Sequence, residues 1–312
     1  MPTEAHVSTL QTCKPYAINV IIENLAEKPI KNTAKMSELA DKERRAIKIL
    51  RMYRGDDPIE VSYSGGKDSD IILALTKMAG IPYRAIYKNT TIDPPGTVQH
   101  CKNNGVEVVM PKERFFDIVA RKGAPTRRAR FCCEILKEYK ILDNAVHGIR
   151  RCESVKRAKN YAENEPIICR NYSKREHVNV FLPILDWSDK DVADFINAHG
   201  IKCHPLYYNE DGKFCVERRL GCIGCPMQSD NGVGDFVKYP KMLRQWIKAS
   251  KVWWNKERET PLASVDKFGD IYAMTAHNLF FDDYDSFQAA STSMFGKEDW
   301  KQRLEDFFKI EL

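Results

Sequence analysis

The part of the sequence best suited to chemistry is the run Ser64-Gly65-Gly66-Lys67-Asp68-Ser69, which lies between two apolar segments. Adjacent glycines allow backbone N–H groups to approach a ligand closely, and the first N–H groups of a helix attract an anion because they have no intrahelical acceptor. Lys67 adds a positive charge at the same point. The spacing is not that of the Walker loop, which has four residues between its first glycine and its Gly-Lys pair. A plain surface turn is the alternative, but the apolar flanks favour a phosphate-binding loop between a strand and a helix.

Two pairs of cysteines form the second chemical signal, Cys132-Cys133 and Cys222-Ile223-Gly224-Cys225. Neighbouring thiolates and a Cys-x-x-Cys turn can bring four sulfurs to one tetrahedral set, which suits either zinc or an iron–sulfur cluster. A local zinc site is the alternative, and it would use Cys203, Cys215, Cys222 and Cys225. Four other cysteines are expected to be buried as small apolar residues: Cys13, Cys101, Cys152 and Cys169.

The third signal is a basic stretch that begins where a predicted strand ends, and it contains Gly148, Arg150, Arg151 and Arg157. Guanidinium groups match the oxygens of phosphate and sulfate with paired hydrogen bonds, so the stretch suits a phosphosulfate or a triphosphate tail. A basic surface helix is the alternative, but the strand before Arg150 favours a ligand site.

These motifs resemble those of a known group of proteins. The SGGKDS run looks like the pyrophosphate loop of the adenine nucleotide alpha-hydrolases, which include the N-type ATP pyrophosphatases and the sulfonucleotide (PAPS and APS) reductases. The two cysteine pairs resemble the cubane cluster site of APS reductases and of DNA phosphorothioation ATP pyrophosphatases. The run from Gly148 to Arg157 is similar to the G-x-R-x-x-x-S-x-x-R stretch of the reductases, and residues 181–192 and 204–207 resemble further PAPS reductase family motifs. The resemblance spans about residues 55 to 230.

The resemblance implies a role for each motif. The nucleotide would be ATP or PAPS, held by Ser64, Gly65, Gly66, Lys67, Asp68, Ser69, Asn89, Thr90, Gly148, Arg150 and Arg151. The loop amides and Lys67 would hold pyrophosphate, Asp68 would help to place Mg²⁺, and Arg150 and Arg157 would neutralise charge as the bond at the alpha phosphate breaks. A [4Fe–4S] cluster, or alternatively zinc, would be bound by Cys132, Cys133, Cys222 and Cys225.

Two departures from the family pattern affect the expected reaction. The sequence has Asn89-Thr90-Thr91 where the family often has Asp-Thr-Gly, and it has no cysteine after Cys225, where the reductases carry their nucleophile. We therefore expect an ATP pyrophosphatase that activates a substrate, which could be a nucleic acid, for sulfur transfer. The alternatives are a sulfonucleotide reductase that uses another thiol, and a nucleotide-dependent nucleic-acid-binding protein without turnover.

The predicted elements that position these residues alternate between strands and helices. Strands are expected at 59–63, 83–88, 106–110, 145–149 and 179–185, and helices at 16–26, 37–54, 68–79, 97–104, 113–122, 131–142, 188–199, 236–258 and 297–309. This alternation predicts an α/β fold with a doubly wound, mainly parallel sheet and helical additions at both ends. The predicted units are an N-terminal extension (1–55), a nucleotide-binding domain (56–235) and a helical C-terminal region (236–312). Ser188 and Asp191 fit a helix capping box.

Composition and charge limit the partners. The 312 residues are 43% hydrophobic and 29% charged, which is typical of a globular protein, and no apolar run is long enough to span a membrane. The start lacks the pattern of a secretory signal, so a cytoplasmic location is expected. The net charge is +6, but residues 121–177 carry 15 Lys and Arg against 7 Asp and Glu. This stretch could face nucleic acid, and the aromatic C-terminal region could face a protein partner.

Overall fold

The architecture is that of a computed structural model which describes residues 38–163, 165–172, 175–257, 267–293 and 296–312. The strands are β1 (Ile59–Tyr63), β2 (Tyr83–Lys88), β3 (Glu107–Val109), β4 (Asn144–Val146), β5 (Ile167–Tyr172), β6 (Arg175–Phe181), β7 (Thr292–Ser293) and β8 (Gly296–Lys297). The helices are α1 (Glu38–Arg51), α2 (Lys67–Ala79), α3 (Thr97–Asn103), α4 (Phe115–Lys122), α5 (Phe131–Leu136), α6 (Val155–Asn160), α7 (Asp189–Ala198), α8 (Val233–Lys238), α9 (Pro240–Glu257), α10 (Ile271–Phe280), α11 (Tyr284–Ser291) and α12 (Trp300–Phe308). The predicted helix at 16–26 lies outside the described residues.

Six of the strands form one sheet in the order β3-β2-β1-β4-β6-β5. Neighbouring strands are parallel from β3 to β6, and β5 alone runs antiparallel, at the edge beside β6. β1 lies in the interior of the sheet, and four of its five residues are buried. The strand order reverses between β1 and β4, and ligands of open α/β sheets bind at the carboxyl ends of the strands at such a point. The predicted doubly wound α/β fold is confirmed.

Two hydrophobic clusters cover the sheet and its additions. One cluster joins β1 with α1, α2 and α7, and it includes Leu50, Ile71 and Phe195. The second joins α4 and α5 with the C-terminal helices, and Trp246 of α9 lies in it 4.9 Å, between ring centroids, from Phe115 of α4. The C-terminal helices are therefore packed against the segment that carries Cys132 and Cys133.

Three predicted elements differ from the structure. The helix expected at 131–142 ends at Leu136, because the backbone N–H groups of Ile141 and Leu142 donate to the buried carboxylate of Glu60 at 2.7 and 3.2 Å instead of continuing the helix. The helix expected at 236–258 is divided into α8 and α9 at Pro240, which has no N–H to donate.

The strand predicted at 179–185 ends at Phe181, and the sheet gains an edge strand, β5, that the prediction lacked. The helices α10 and α11 were also not predicted. Asp270 and Asp283 cap them by accepting a hydrogen bond from the third helical N–H. The capping box of Ser188 and Asp191 at the start of α7 is confirmed.

Within the described ranges, no helix combines the length and the apolar character needed to cross a membrane.

Candidate functional site

The loop between β1 and α2 is tightly enclosed. Gly65 has a φ of +78°, and a Cβ atom there would lie 3.1 Å from a methyl group of Thr97 and 3.2 Å from Leu220. A Cβ on Gly66 would lie 3.3 Å from the Tyr207 hydroxyl. Because L-residues rarely adopt this φ and the space is filled, glycine is required at Gly65, which agrees with its predicted place in a phosphate loop.

The hydroxyl groups of the loop shape its backbone. Ser69 Oγ donates to the carbonyl of Gly66 at 2.7 Å, and the Gly66 N–H donates to Ser64 Oγ at 3.4 Å. Lys67 is the first residue of α2 and is only 6% exposed. Its Nζ atom lies 3.6 Å from Asp68 Oδ2 and 5.4 Å from the ring centroid of Tyr207. The loop thus holds an ammonium group beside the backbone N–H groups of a helix start.

Arg150 is fully buried and links the ends of two strands. Its Nε atom donates to Asp68 Oδ1 at 2.7 Å, and Nη2 donates to Asp189 Oδ1 at 2.9 Å. A third nitrogen, Nη1, donates to the thiol sulfur of Cys152 at 3.0 Å. A Cβ atom on Gly148 would lie 2.9 Å from the Asp68 carbonyl, so the backbone after β4 approaches the start of α2 closely. These contacts bring the predicted Gly148 and Arg150 to the loop.

Two other predicted arginines have partners of their own. Arg151 forms an ion pair with Asp186 and donates to the carbonyl of Tyr161. Arg157 forms an ion pair with Glu153, and its side chain is 41% exposed. Burial and the nearby guanidinium of Arg219 lower the pKa of Arg157, although Asp68 partly offsets them. Arg157 therefore lies within electrostatic range of the loop, whereas the contacts of Arg151 are with Asp186 and Tyr161.

The predicted nucleotide residues after β2 form a turn. Asn89 Oδ1 accepts from the Thr91 N–H at 2.7 Å, and Thr91 has a φ of +63°. Thr90 is buried, with its hydroxyl 3.6 Å from the Cys222 sulfur. Thr90 thus lines the cavity surrounded by the cysteines rather than the glycine loop.

A buried polar network beneath the loop was missed by the sequence analysis. Tyr63 donates to Asp70 Oδ1, and His100 Nε2 lies 2.9 Å from the same oxygen. Burial raises the pKa of Asp70, and the contact with His100 opposes that shift. The sequence signal for this network was Asp70, an acidic residue in the first turn of α2, a helix whose other face is apolar.

The four predicted metal ligands line one cavity. Cys132 and Cys133 of α5 face Cys222 and Cys225 across an empty space of about 350 Å³, part of it open to solvent. The other walls are mainly apolar, with Phe115 and Trp246 among them. Residues 89 positions apart in the chain are thus brought together as the sequence predicted.

One thiol of the cavity favours the thiolate form. The hydrogen bond from the Cys132 thiol lowers the pKa of Cys133 to about 6, and the Arg130 guanidinium contributes. Burial raises the pKa of Cys222 to about 12. Lys137, which the sequence analysis missed, also lines the cavity, with Nζ 3.9 Å from Asp93 Oδ1. Its spacing of four from Cys133 was the available signal, because residues i and i+4 share a helix face.

The donor set of the cavity consists of four thiols. Among the residues with described positions, no group of three or more His, Cys, Asp and Glu side chains is close enough to hold a metal ion. The four thiols nevertheless line one mainly apolar cavity, and thiolates are ligands of both zinc and iron–sulfur clusters.

The four cysteines of the alternative zinc site are not brought together. Cys203 is buried and hydrogen-bonds to Asp70, and Cys215 donates to the carbonyl of Lys213, so neither lines the cavity of Cys222 and Cys225.

The expectation that the remaining cysteines are buried is only partly correct. Cys101 is buried, but Cys152 and Cys169 are exposed, and Cys13 lies outside the described residues. Cys169 is exposed because it lies on the edge strand β5, and Cys152 because it lies in a 3-10 turn at residues 151–153. Local composition could not distinguish these positions.

Fold and loop together define an α/β protein with an enclosed glycine loop at the switch point of its sheet. Comparison with known proteins gives the family: the profile described as "Phosphoadenosine phosphosulfate reductase domain" matches residues 58–228, more than half of the chain. The chain therefore belongs to the phosphoadenosine phosphosulfate reductase domain family, and the predicted resemblance is confirmed.

Several curated proteins are similar to the chain. An uncharacterised protein of Methanocaldococcus jannaschii is 27% identical over 240 residues, which cover 70% of this chain and 54% of that protein. The tRNA(Ile)-lysidine synthase of Francisella philomiragia is 28% identical over 178 residues, 52% of this chain and 43% of the synthase. Sulfate adenylyltransferase subunit 2 of Vibrio cholerae is 24% identical over 208 residues, 55% and 68% of the two chains. The chain spans about half the length of the Methanocaldococcus relative.

Proposed function

We propose that this chain cleaves ATP at the alpha phosphate and so activates a substrate for sulfur transfer beside an iron–sulfur cluster. The observation that carries the proposal is the segment 220–225. Leu220 closes over Gly65 of the loop, while Cys222 and Cys225 line the cysteine cavity. The proposed nucleotide site at the loop and the cysteine cavity therefore share one short segment as a wall, which suits a reaction that uses both sites.

The proposed roles follow from the contacts at the loop. The N–H groups at the start of α2 and the ammonium of Lys67 bind the pyrophosphate part of the nucleotide. Asp68 is held in place by Arg150 through its Oδ1 atom, and its Oδ2 atom has only the longer approach to Lys67, so Oδ2 is the oxygen that would meet a magnesium ion. Arg157 supplies a second positive charge as the bond breaks.

Cys132, Cys133, Cys222 and Cys225 would hold the cluster, which supplies electrons or a sulfur-binding iron when bound. The walls of their cavity are mainly apolar, and Phe115 and Trp246 are among the residues that line it. The similarity to the Vibrio cholerae protein, a sulfate adenylyltransferase subunit, supports adenylyl chemistry connected with sulfur.

Two measurements test the proposal. Protein purified without oxygen should release pyrophosphate and AMP from ATP, and Lys67→Ala should lose this activity. Iron, sulfide and a broad absorption near ~400 nm should be present and should disappear in Cys222→Ser. Cys215→Ser is the matched control, because that thiol lies outside the cavity, and it should keep the iron. Stoichiometric zinc without iron, or ATP left intact by the iron-loaded protein, would contradict the proposal.

A second candidate function, reduction of a sulfonucleotide, is favoured by one observation. The exposed thiol of Cys152 accepts a hydrogen bond from Arg150, which also holds Asp68 of the loop. An exposed thiol held beside the loop is a candidate nucleophile for the sulfur of a bound sulfonucleotide. Sulfite production from PAPS with a dithiol reductant, lost in Cys152→Ser but kept in Cys169→Ser, would establish this reaction in place of the first.

A nucleic-acid acceptor is the third part of the proposal. The basic stretch 121–177 supports a nucleic-acid acceptor, and so does the similarity to a tRNA(Ile)-lysidine synthase. Part of the charge is used internally, since Arg121 pairs with Glu113 and Arg130 with Glu138. Arg128, Lys156 and Lys159 are exposed and are the expected phosphate contacts. Titration of RNA and DNA at two salt concentrations tests the idea, because binding through phosphates weakens steeply with salt. Binding without any nucleotide turnover would indicate a nucleotide-dependent binding protein.

A further inference from the structure

A second polar cluster lies on the other face of the sheet. Tyr63 of β1 contacts Asp70 of α2, so Glu60 and Ser62, which alternate with it, point away from α2. The strand register puts His147, just after β4, and Tyr172 of β5 on the same face as Glu60. The segment between α5 and β4 covers this face, and it contributes Lys140.

The carboxylate at the centre of this cluster, Glu60, is already fully coordinated. Glu60 has no exposed surface, and one of its oxygens accepts from two backbone N–H groups. Its other oxygen lies 2.8 Å from Lys88 Nζ and 3.7 Å from Lys140 Nζ. No acceptor capacity of Glu60 is left for a further cation.

The cluster therefore has more positive than negative charge. Lys88 and Lys140 share Glu60, and Arg170 of β5 adds a third cation that repels Lys140. Burial, followed by Lys88, lowers the pKa of Lys140 to about 7, and burial and the surrounding cations lower the pKa of His147 well below its ordinary value. An anion bound in the cluster would raise the pKa values of Lys140 and His147 again, because a nearby negative charge favours the protonated form of both groups.

Two buried polar atoms of the cluster lack a well-formed hydrogen bond. Among the described residues, His147 Nε2 and Tyr172 Oη are inaccessible to solvent and have no partner with good hydrogen-bond geometry. The Arg170 guanidinium approaches the Tyr172 hydroxyl and opposes the rise that burial causes in the pKa of Tyr172. Their ring centroids are 6.4 Å apart, and the Lys140 ammonium lies 5.1 Å from the centroid of the Tyr172 ring. Buried polar groups without a well-formed hydrogen bond are rare, and here two of them lie beside an excess of positive charge.

We propose that Lys140, Ser62, His147 and Tyr172 form a binding site for a tetrahedral oxyanion, a sulfate or phosphate group. Ammonium, imidazole and phenol groups are donors to such an anion, whose oxygens accept hydrogen bonds in several directions. Ser62 Oγ accepts from Lys140 Nζ at 2.6 Å and donates to Glu60 Oε1 at 3.4 Å, so it positions the ammonium group. The site lies beside the glycine loop, since Ser62 is two residues before Ser64 and His147 directly precedes Gly148. The inference does not depend on the reaction proposed above, because it concerns binding alone.

The anion has two possible sources, the terminal group of a bound nucleotide or a free inorganic ion. Calorimetry of the full chain in a chloride buffer should give saturable binding of sodium sulfate and of sodium phosphate at constant ionic strength. Repeating the titration with ATP or PAPS already bound distinguishes the sources. Loss of inorganic-anion binding assigns the site to the nucleotide's own group, and retained binding assigns it to a free ion.

Variants give the decisive comparison. Tyr172→Phe removes one hydroxyl that lacks a well-formed hydrogen bond, so it should weaken anion binding about fivefold or more while leaving the unfolding midpoint unchanged or raised. Lys140→Met should abolish binding. Tyr239→Phe, at the junction of α8 and α9, is the matched control and should bind as the wild type does. Heats for sulfate and phosphate equal to those for chloride, or unchanged affinity in Tyr172→Phe, would overturn the inference.

Discussion

Replacing Arg150 by alanine removes the side chain that links the loop to the end of β4. Arg150 and Asp68 have side chains only 2% and 16% exposed, and their atoms are 2.7 Å apart. Breaking a buried ion pair from one side typically costs about 3–5 kcal/mol, because the remaining charge is left without its partner. The second pair, with Asp189, adds no more than about 1 kcal/mol, since Asp189 is 60% exposed. We therefore expect Arg150→Ala to lower the free energy of unfolding by about 4 kcal/mol.

The neighbouring Arg151 is the matched control. Its ion pair is with Asp186, whose side chain is 75% exposed, and such pairs contribute about 0–1 kcal/mol. Arg150→Lys keeps the charge but loses the fork of three nitrogens that reaches Asp68, Asp189 and Cys152, so its stability should fall between those of the wild type and Arg150→Ala.

Urea unfolding followed by tryptophan fluorescence measures these differences, and calorimetry with ATP measures the effect on the loop. Arg150→Ala should also weaken ATP binding at least tenfold, because Asp68 loses its orientation. The reasoning would be refuted if Arg150→Ala lowered the free energy of unfolding by less than about 1 kcal/mol, or if Arg150→Ala and Arg151→Ala lowered it equally.

Three further predictions concern the backbone and the opposite face of the sheet. Gly148→Ala should weaken nucleotide binding, because the new Cβ atom would lie 2.9 Å from the backbone at the start of α2. Gly221→Ala is the control and should bind the nucleotide normally, because the space around Gly221 is open. Equal nucleotide affinities in the two variants would contradict this. Glu60→Gln should cost about 3–5 kcal/mol in urea unfolding and Glu107→Gln, in an exposed pair, less than about 1 kcal/mol. Burial lowers the pKa of Lys140 to about 7 in the folded protein, so the unfolded state binds more protons between about pH 7 and pH 10. Over this range the free energy of unfolding of the wild type, measured relative to that of Lys140→Met, should therefore rise by about 1 kcal/mol per pH unit. Parallel pH profiles for the two proteins would be evidence against this.

Local features of the sequence were enough to predict the loop and most of the sheet. β1, the glycine pair and α2 are consecutive, so their apolar runs, turn residues and helix start could be read without knowledge of distant partners. The pairing of Cys132 and Cys133 with Cys222 and Cys225 could also be predicted, because it rested on a family resemblance together with residue spacing. The last strands were less predictable, since β5 is an edge strand with a mixed burial pattern.

The sequence by itself determined where the strands, the helix start and the reactive side chains lie along the chain, because these depend on short-range periodicity and backbone preference. Only the tertiary structure decided which of two adjacent arginines is buried against the loop, since Arg150 and Arg151 are chemically identical and differ only in the partners that reach them. The same is true of Cys152, which the structure places in an exposed 3-10 turn with its sulfur in contact with Arg150. The cation-rich cluster below the sheet was likewise invisible, because it joins residues of β1 and β5 with Lys140 and His147, and their proximity is set by strand order. Long-range burial decides the charge state and partners of a side chain, and a linear sequence carries no direct record of it.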